Sequence, residues 1–188
     1  MLVHGLLAEV LTKAPMLVSS QPNYVTKMVF PLETLAAVTV LTAIFHIGLA
    51  LAVLLLINAA VGTGPAWPQL SVPLLLAPFC LLLLGLAWIV SALGVYIRDM
   101  NQLMGPLVTV LMFLGPVFYP RAALPAGLQP WLALNPITVP IEQFRKVLFD
   151  GQWPDWPSLW QYSLVSIIVC MLGFWVFSTL RKGFADVL

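Results

Sequence analysis

The side chains able to do chemistry in this chain are few and scattered. His46 is the one titratable residue deep inside an apolar run, Asn58 follows it in the same run, and Glu33 stands just after Pro31 where the run begins. A lone imidazole among apolar residues can relay a proton, but it more simply hydrogen-bonds a neighbouring helix, and Asn58 has the same use. Glu33 at a helix start complements the helix dipole or couples that helix to its surroundings. Cys80 and Cys170 each lie in mid-run, where a thiol packs as a small hydrophobe, and no CxxC pair or His-rich tract makes them metal ligands. The sequence holds no paired carboxylates, Ser/His or Cys/His set, or HExxH stretch, so catalysis is not expected of it. It also has no GxxxxGK[ST] phosphate loop. Any ATP-driven work would therefore need a nucleotide site on another polypeptide.

The elements that carry these residues follow from composition. Of the 188 residues, 61% are hydrophobic and 8% charged, against roughly 45–50% and about 25% in an ordinary soluble domain. So few charges cannot coat a water-soluble surface, and so apolar a chain is not disordered either. A net charge of +1 offers no field for phosphates, which excludes nucleic acid as a partner. The solvent must be a bilayer.

Charged residues are absent from positions 34 to 97, 100 to 120 and 156 to 180. A crossing takes about 20 apolar residues at about 1.5 Å rise each, so the first window holds two crossings, parted at GTGPAWPQ, and the others hold one apiece. The expected fold is all-α: a polytopic membrane helical bundle of four complete crossings, at about 32 to 61, 71 to 96, 103 to 119 and 159 to 180, plus the end of another helix. That end is MLVHGLLAEVL, too short to cross alone and without the basic n-region of a signal peptide.

If the ends alternate sides, Lys13, Lys27, Arg98, Arg181 and Lys182 share one side, and Arg121, Arg145 and Lys146 the other. The larger set is expected in the cytoplasm, together with the C-terminus. The segment from 120 to 157 is then external. With its flank from 116 it holds eight of the sixteen prolines and Trp131, Trp153 and Trp156. Residues 122 to 141 carry no charge, yet Pro125, Pro130, Pro136 and Pro140 prevent one continuous helix. Broken apolar backbone at membrane depth survives only where protein or a water-filled cavity satisfies its polar groups. A re-entrant or surface-lying pair of short helices is expected there, followed by an amphipathic piece at IEQFRKVLF and a turn at Asp150 and Gly151.

Short motifs fall in a definite order along this frame. PNYVTKMVFPLE leads into the first long crossing; GVYIRDMNQ joins the second and third; GPVFYP and LNP occupy the external segment; FADVL closes the sequence. Together they resemble the permease subunits of type-2 ABC exporters for polysaccharides, the class that moves O-antigen, capsule and teichoic-acid chains. The resemblance runs over essentially the whole sequence.

It implies that residues 23 to 30 form a coupling helix docking into a separate ATPase subunit, with Asn23, Tyr24, Lys27 and Phe30 as its contacts. Glu33, Arg98 and Asp99 would lie beside the same ATPase. It further implies short gate helices between the last two crossings, where Phe118, Tyr119, Trp131, Asn135 and Pro136 line the glycan path or its gate. A lipid-linked polysaccharide of O-antigen or capsule type would be the substrate. The path would run between two copies of the chain, a homodimer in the lipid of the bacterial cytoplasmic membrane. This chain would bind no cofactor itself, MgATP being held by the ATPase.

Simpler readings stand beside these roles. Residues 23 to 30 can form an interfacial helix with Lys27 snorkelling to headgroups, Arg98 and Asp99 a local charge pair, and the aromatic rings membrane-interface anchors. The same architecture could export drugs or small lipids, or the chain could scaffold glycan assembly without transport. Members of the resembled family have six crossings after an interfacial helix. By that measure residues 1 to about 12 correspond to the end of the second crossing, and the 188 residues form one permease domain incomplete at its N-terminus.

Overall fold

The computed structural model describes residues 1–21, 30–60, 67–118, 132 and 135–187. Its elements are helical: α1 (Leu2–Lys13), α2 (Met16–Ser19), α3 (Glu33–Ala60), a 3-10 turn (Trp67–Ser71), α4 (Val72–Tyr96), α5 (Met100–Leu114), α6 (Thr138–Leu148), α7 (Trp156–Leu180), a 3-10 turn (Arg181–Gly183) and α8 (Phe184–Val187). No strand occurs among the described residues, so the all-α bundle expected from the charge-free windows is what forms.

The helix starts follow local chemistry. Pro31 and Leu32 precede α3, and the Pro31 carbonyl accepts both the Thr34 amide at 3.0 Å and its hydroxyl at 2.7 Å. Glu33 sits in the first turn, where a carboxylate suits the helix dipole. Both α4 and α7 carry a proline in the first turn, where the missing N–H has no intrahelical partner to lose.

Three helical stretches, Glu33–Asn58, Trp67–Tyr96 and Trp156–Gly183, are long and apolar enough to cross a membrane. The crossing expected at 103 to 119 is the shorter apolar helix α5, which starts and stops earlier. The Asp99 carbonyl accepts the Gln102 and Leu103 amides at 3.0 and 3.2 Å and so begins the helix within polar sequence. Gly115 is extended at ψ 160 and Pro116 follows, which ends it. Fifteen residues rise only about 22 Å, less than the roughly 30 Å of hydrocarbon.

α4 lies at the centre of the bundle and packs against α1, α2, α3, α6 and α7. Buried positions run all round it, including Leu75, Phe79, Leu83, Ala87 and Ala92, as a helix enclosed by others requires. Its closest neighbour is α7. Gly85 and Gly173 meet backbone to backbone, the small-residue contact by which membrane helices approach one another. The outward faces of α3 (Phe45, Leu49, Leu56) and α7 (Ile168, Met171, Trp175) are exposed and apolar, suited to acyl chains.

Candidate functional site

One end of the bundle gathers Pro15, Glu33, Tyr96 and Leu180. Of the residues expected to meet an ATPase, Asn23, Tyr24 and Lys27 lie outside the described residues. Phe30 is half-buried against an aromatic and aliphatic cluster of Val18, Leu32, Ala92, Val95, Phe177 and Phe184. Glu33 Oε2 pairs with Arg181 Nη1 at 2.7 Å, and the Glu33 carbonyl accepts the Trp88 indole N–H at 3.0 Å. The start of α3 is thus fastened to both α4 and the end of α7. Tyr96 adds a second tie, its hydroxyl donating to the Leu180 carbonyl at 2.9 Å, with its ring 5.9 Å from that of Phe184. Phe184 in turn meets Phe177 edge-on at 5.7 Å.

Arg98 and Asp99 form the exposed turn between α4 and α5, and neither makes an ion pair among the described residues. A local Arg98–Asp99 charge pair is therefore not what fixes this turn. The Glu33–Arg181 bridge is partly exposed, so a double-mutant cycle on it is expected to return a coupling energy of only about 0.5–1 kcal/mol. Thermal unfolding of Glu33→Gln, Arg181→Gln and the double variant in detergent measures it. Strict additivity would show that the bridge does not hold the two helices.

The opposite end of the bundle carries the candidate gate. Tyr119 and Trp131 lie outside the described residues. Phe118 is exposed, its ring 6.0 Å from that of Phe113. Asn135 is buried: its Nδ2 donates to the Leu111 carbonyl at 2.8 Å, and its Oδ1 accepts the Ile137 amide at 3.2 Å. The Pro136 carbonyl accepts the Tyr162 hydroxyl at 2.8 Å. These two residues fasten the segment after 134 to α5 on one side and α7 on the other.

The amphipathic piece is α6, with Ile141, Phe144, Val147 and Leu148 buried and Glu142, Arg145 and Lys146 half-exposed. Arg145 Nη2 donates to the Pro116 carbonyl at 3.0 Å, and the buried Gln143 accepts the Asp155 amide at 2.8 Å. The turn after α6 is made by Gly151, whose φ of 59 favours glycine. Beside these ties runs a groove of about 570 Å³ between α4, α6 and α7, polar at Asn135, Ser158 and Gln161 and apolar at Leu86 and Val169.

Residues 1–149 match the ABC-2 type transporter family. The chain belongs to this family. An ABC-2 type chain with three helices of crossing length is a multi-pass membrane protein. The chain is also 26% identical over 171 residues to the O-antigen export system permease protein RfbA of Myxococcus xanthus, an alignment that takes in 90% of this chain. It spans 66% of that protein's length, just under two thirds.

Within this ABC-2 type bundle the sequence alone missed a third cluster. Glu9, on α1, accepts Lys13 Nζ at 2.7 Å and His46 Nδ1 at 2.8 Å on the same oxygen, and His46 also lies 3.0 Å from its second oxygen. His46 thus has the neighbouring-helix partner that a lone intramembrane histidine calls for, and that partner is charged. Nothing in the hydropathy pattern pairs positions 9 and 46. Arg181 and Trp88, the partners of Glu33, were hidden for the same reason.

Proposed function

We propose that this chain is the transmembrane subunit of an ATP-driven exporter that moves a lipid-linked polysaccharide, of O-antigen or capsule type, across the bacterial cytoplasmic membrane. Two copies enclose the path, and two ATPase subunits carrying MgATP bind the end that holds Glu33, Arg98 and the C-terminus, which faces the cytoplasm. The observation that carries this reading is the match over residues 1–149 to the ABC-2 type transporter family, with the O-antigen export relative in support. The sequence contributes the missing phosphate loop, which requires ATP hydrolysis on another chain.

The structure supports the division of labour. Glu33, Trp88, Tyr96, Arg181 and Phe184 brace the helix ends on which a docked ATPase would push, so movement passes to α3, α4 and α7 as one body. Asn135, Pro136 and Arg145 hold the opposite segment across α5 and α7, where a gate would open.

The test is co-purification with an ABC ATPase from the same genome, followed by surface-glycan display in a strain lacking its own exporter. Stable association and restored glycan are expected. No association overturns the reading, and transport of a hydrophobic dye without glycan display assigns the chain to drug or small-lipid export. Lys27→Glu reverses a charge in the expected coupling segment and should weaken ATPase association about tenfold, equivalent to about 1.4 kcal/mol. Unchanged binding in a titration of the purified ATPase would remove Lys27 from the contact.

A further inference from the structure

The pair of Glu9 and His46 lies where charge is least expected, with Lys13 one turn from Glu9 toward the bundle end that gathers Pro15. His46 is close to the midpoint of α3 (Glu33–Ala60), about 20 Å of helix rise from either end, so it sits near the middle of a hydrocarbon layer roughly 30 Å thick. Yet it is not enclosed by the bundle: the side chains of His46 and Lys13 are 54% and 51% exposed. An ionisable group facing acyl chains at that depth costs about 2.5–3.5 kcal/mol on insertion scales, and such groups normally face protein or a water-filled cavity.

The surroundings agree with the cluster. Along α1, Gly5, Glu9, Thr12 and Lys13 fall at i, i+4, i+7 and i+8 and so share one face. Between Gly5 and Lys13 that face is small or polar, the exposed Met1 standing one turn before it, and a Cβ built at Gly5 would meet nothing within 4 Å. On α3, Thr42 precedes His46 by one turn and is exposed beside it. Phe45 stands edge-on to His46 at 6.3 Å, whereas the outward face of α7, with Ile168, Met171 and Trp175, carries no such polar cluster.

We propose that this sector, the α1 face with His46 and Thr42, is a hydrated wall of the export path whose cluster binds the hydroxyl groups of the passing saccharide. The proposal rests on the export reading above. Glu9 already receives a donor from both Lys13 and His46. The ammonium has two N–H groups beyond the one given to Glu9, and the imidazole has a second nitrogen, so the cluster can donate and accept at once. Sugar hydroxyls do both, whereas an acyl chain does neither.

The experiment uses the exporter assembled with its ATPase in cells, with Cys80 and Cys170 replaced by Ala. Thr12→Cys and Thr42→Cys are suitable probes, because each hydroxyl bonds only backbone carbonyls of its own helix, Thr12 those of Ala8 and Glu9 and Thr42 that of Val38. A membrane-impermeant charged methanethiosulfonate is applied to intact cells and to inside-out vesicles. Labelling is expected to be at least tenfold faster at Thr12→Cys and Thr42→Cys than at Ile168→Cys and Met171→Cys on α7. It is expected to slow severalfold in cells making the lipid-linked glycan relative to cells blocked in its synthesis.

Labelling no faster than at Met171→Cys would show the sector covered by lipid or by another protein helix and overturns the proposal. Fast labelling that ignores the glycan, in a strain that exports it, overturns the binding role alone. A wild-type complex that exports no glycan instead overturns the export reading. As a second variant, Glu9→Gln should lower export at unchanged ATPase association; unchanged export also counts against the site.

Discussion

Leucine at Gly85 or Gly173 is expected to destabilise the bundle by about 2–3 kcal/mol, the range of an overpacked core, and to deplete the protein from membranes. The reason is what the new side chain would strike. A Cβ on Gly85 would fall 2.5 Å from the Val169 carbonyl oxygen and 2.7 Å from the Cys170 Cα, and one on Gly173 would fall 2.7 Å from the Cα of Gly85. These obstacles are backbone, which cannot swing aside as a side chain can. α4 and α7 would have to part along their contact. Lipid tails then fill the gap without any hydrophobic drive to close it, so the lost packing is not recovered. Thermal unfolding in detergent, read beside membrane abundance, measures the effect. Gly105→Ala is the control, since its Cβ would meet nothing within 4 Å. A Gly85→Leu protein as stable as that control would mean the two helices do not touch there.

Asn135→Ala is expected to destabilise by about 2–4 kcal/mol, because two backbone groups lose their partner inside protein and each unsatisfied buried group costs about 1–3 kcal/mol. One is the Leu111 carbonyl, near the end of α5, where helix carbonyls have no intrahelical donor; the other is the Ile137 amide. Asn135→Asp separates this account from simple packing. It keeps the volume and the acceptor for Ile137, but it sets an oxygen against the Leu111 carbonyl, so it should be at least as harmful as alanine. An aspartate variant as stable as the wild type would show that the α5 tie carries no energy. In the proposed exporter, both variants should impair glycan export beyond the loss of protein, since the segment after 134 would no longer be anchored to α5.

How far the sequence discloses this molecule depends on whether a feature is local or pairwise. Local punctuation carries what was legible of the helix starts: Pro31 stands before α3, which begins at Glu33, and Pro73 lies in the first turn of α4. α6 was legible from the alternation in IEQFRKVLF, and the turn at Gly151 from its neighbours. α5 was misjudged at both ends: hydropathy ignores the Asp99 carbonyl that starts it and outweighs the Gly115 and Pro116 that stop it. The Glu9–His46, Glu33–Arg181 and Gly85–Gly173 contacts were not legible. Each joins residues far apart in sequence, and a glycine or histidine in an apolar run looks the same whichever helix it faces. Asn135 both borders the groove between α4, α6 and α7 and holds the Leu111 carbonyl and the Ile137 amide, two backbone partners that the sequence pattern does not disclose.

The aromatic cluster around Phe184 also bears on how the protein is made. Membrane helices insert one by one and pack afterwards. This cluster joins Val18, Leu32, Ala92, Val95, Phe177 and Phe184, so it cannot close until α7 has been synthesised and inserted. Until then, the end proposed to receive an ATPase has no finished surface. Nascent chains would thereby be kept from engaging the motor, and only a fully threaded bundle would be licensed for assembly.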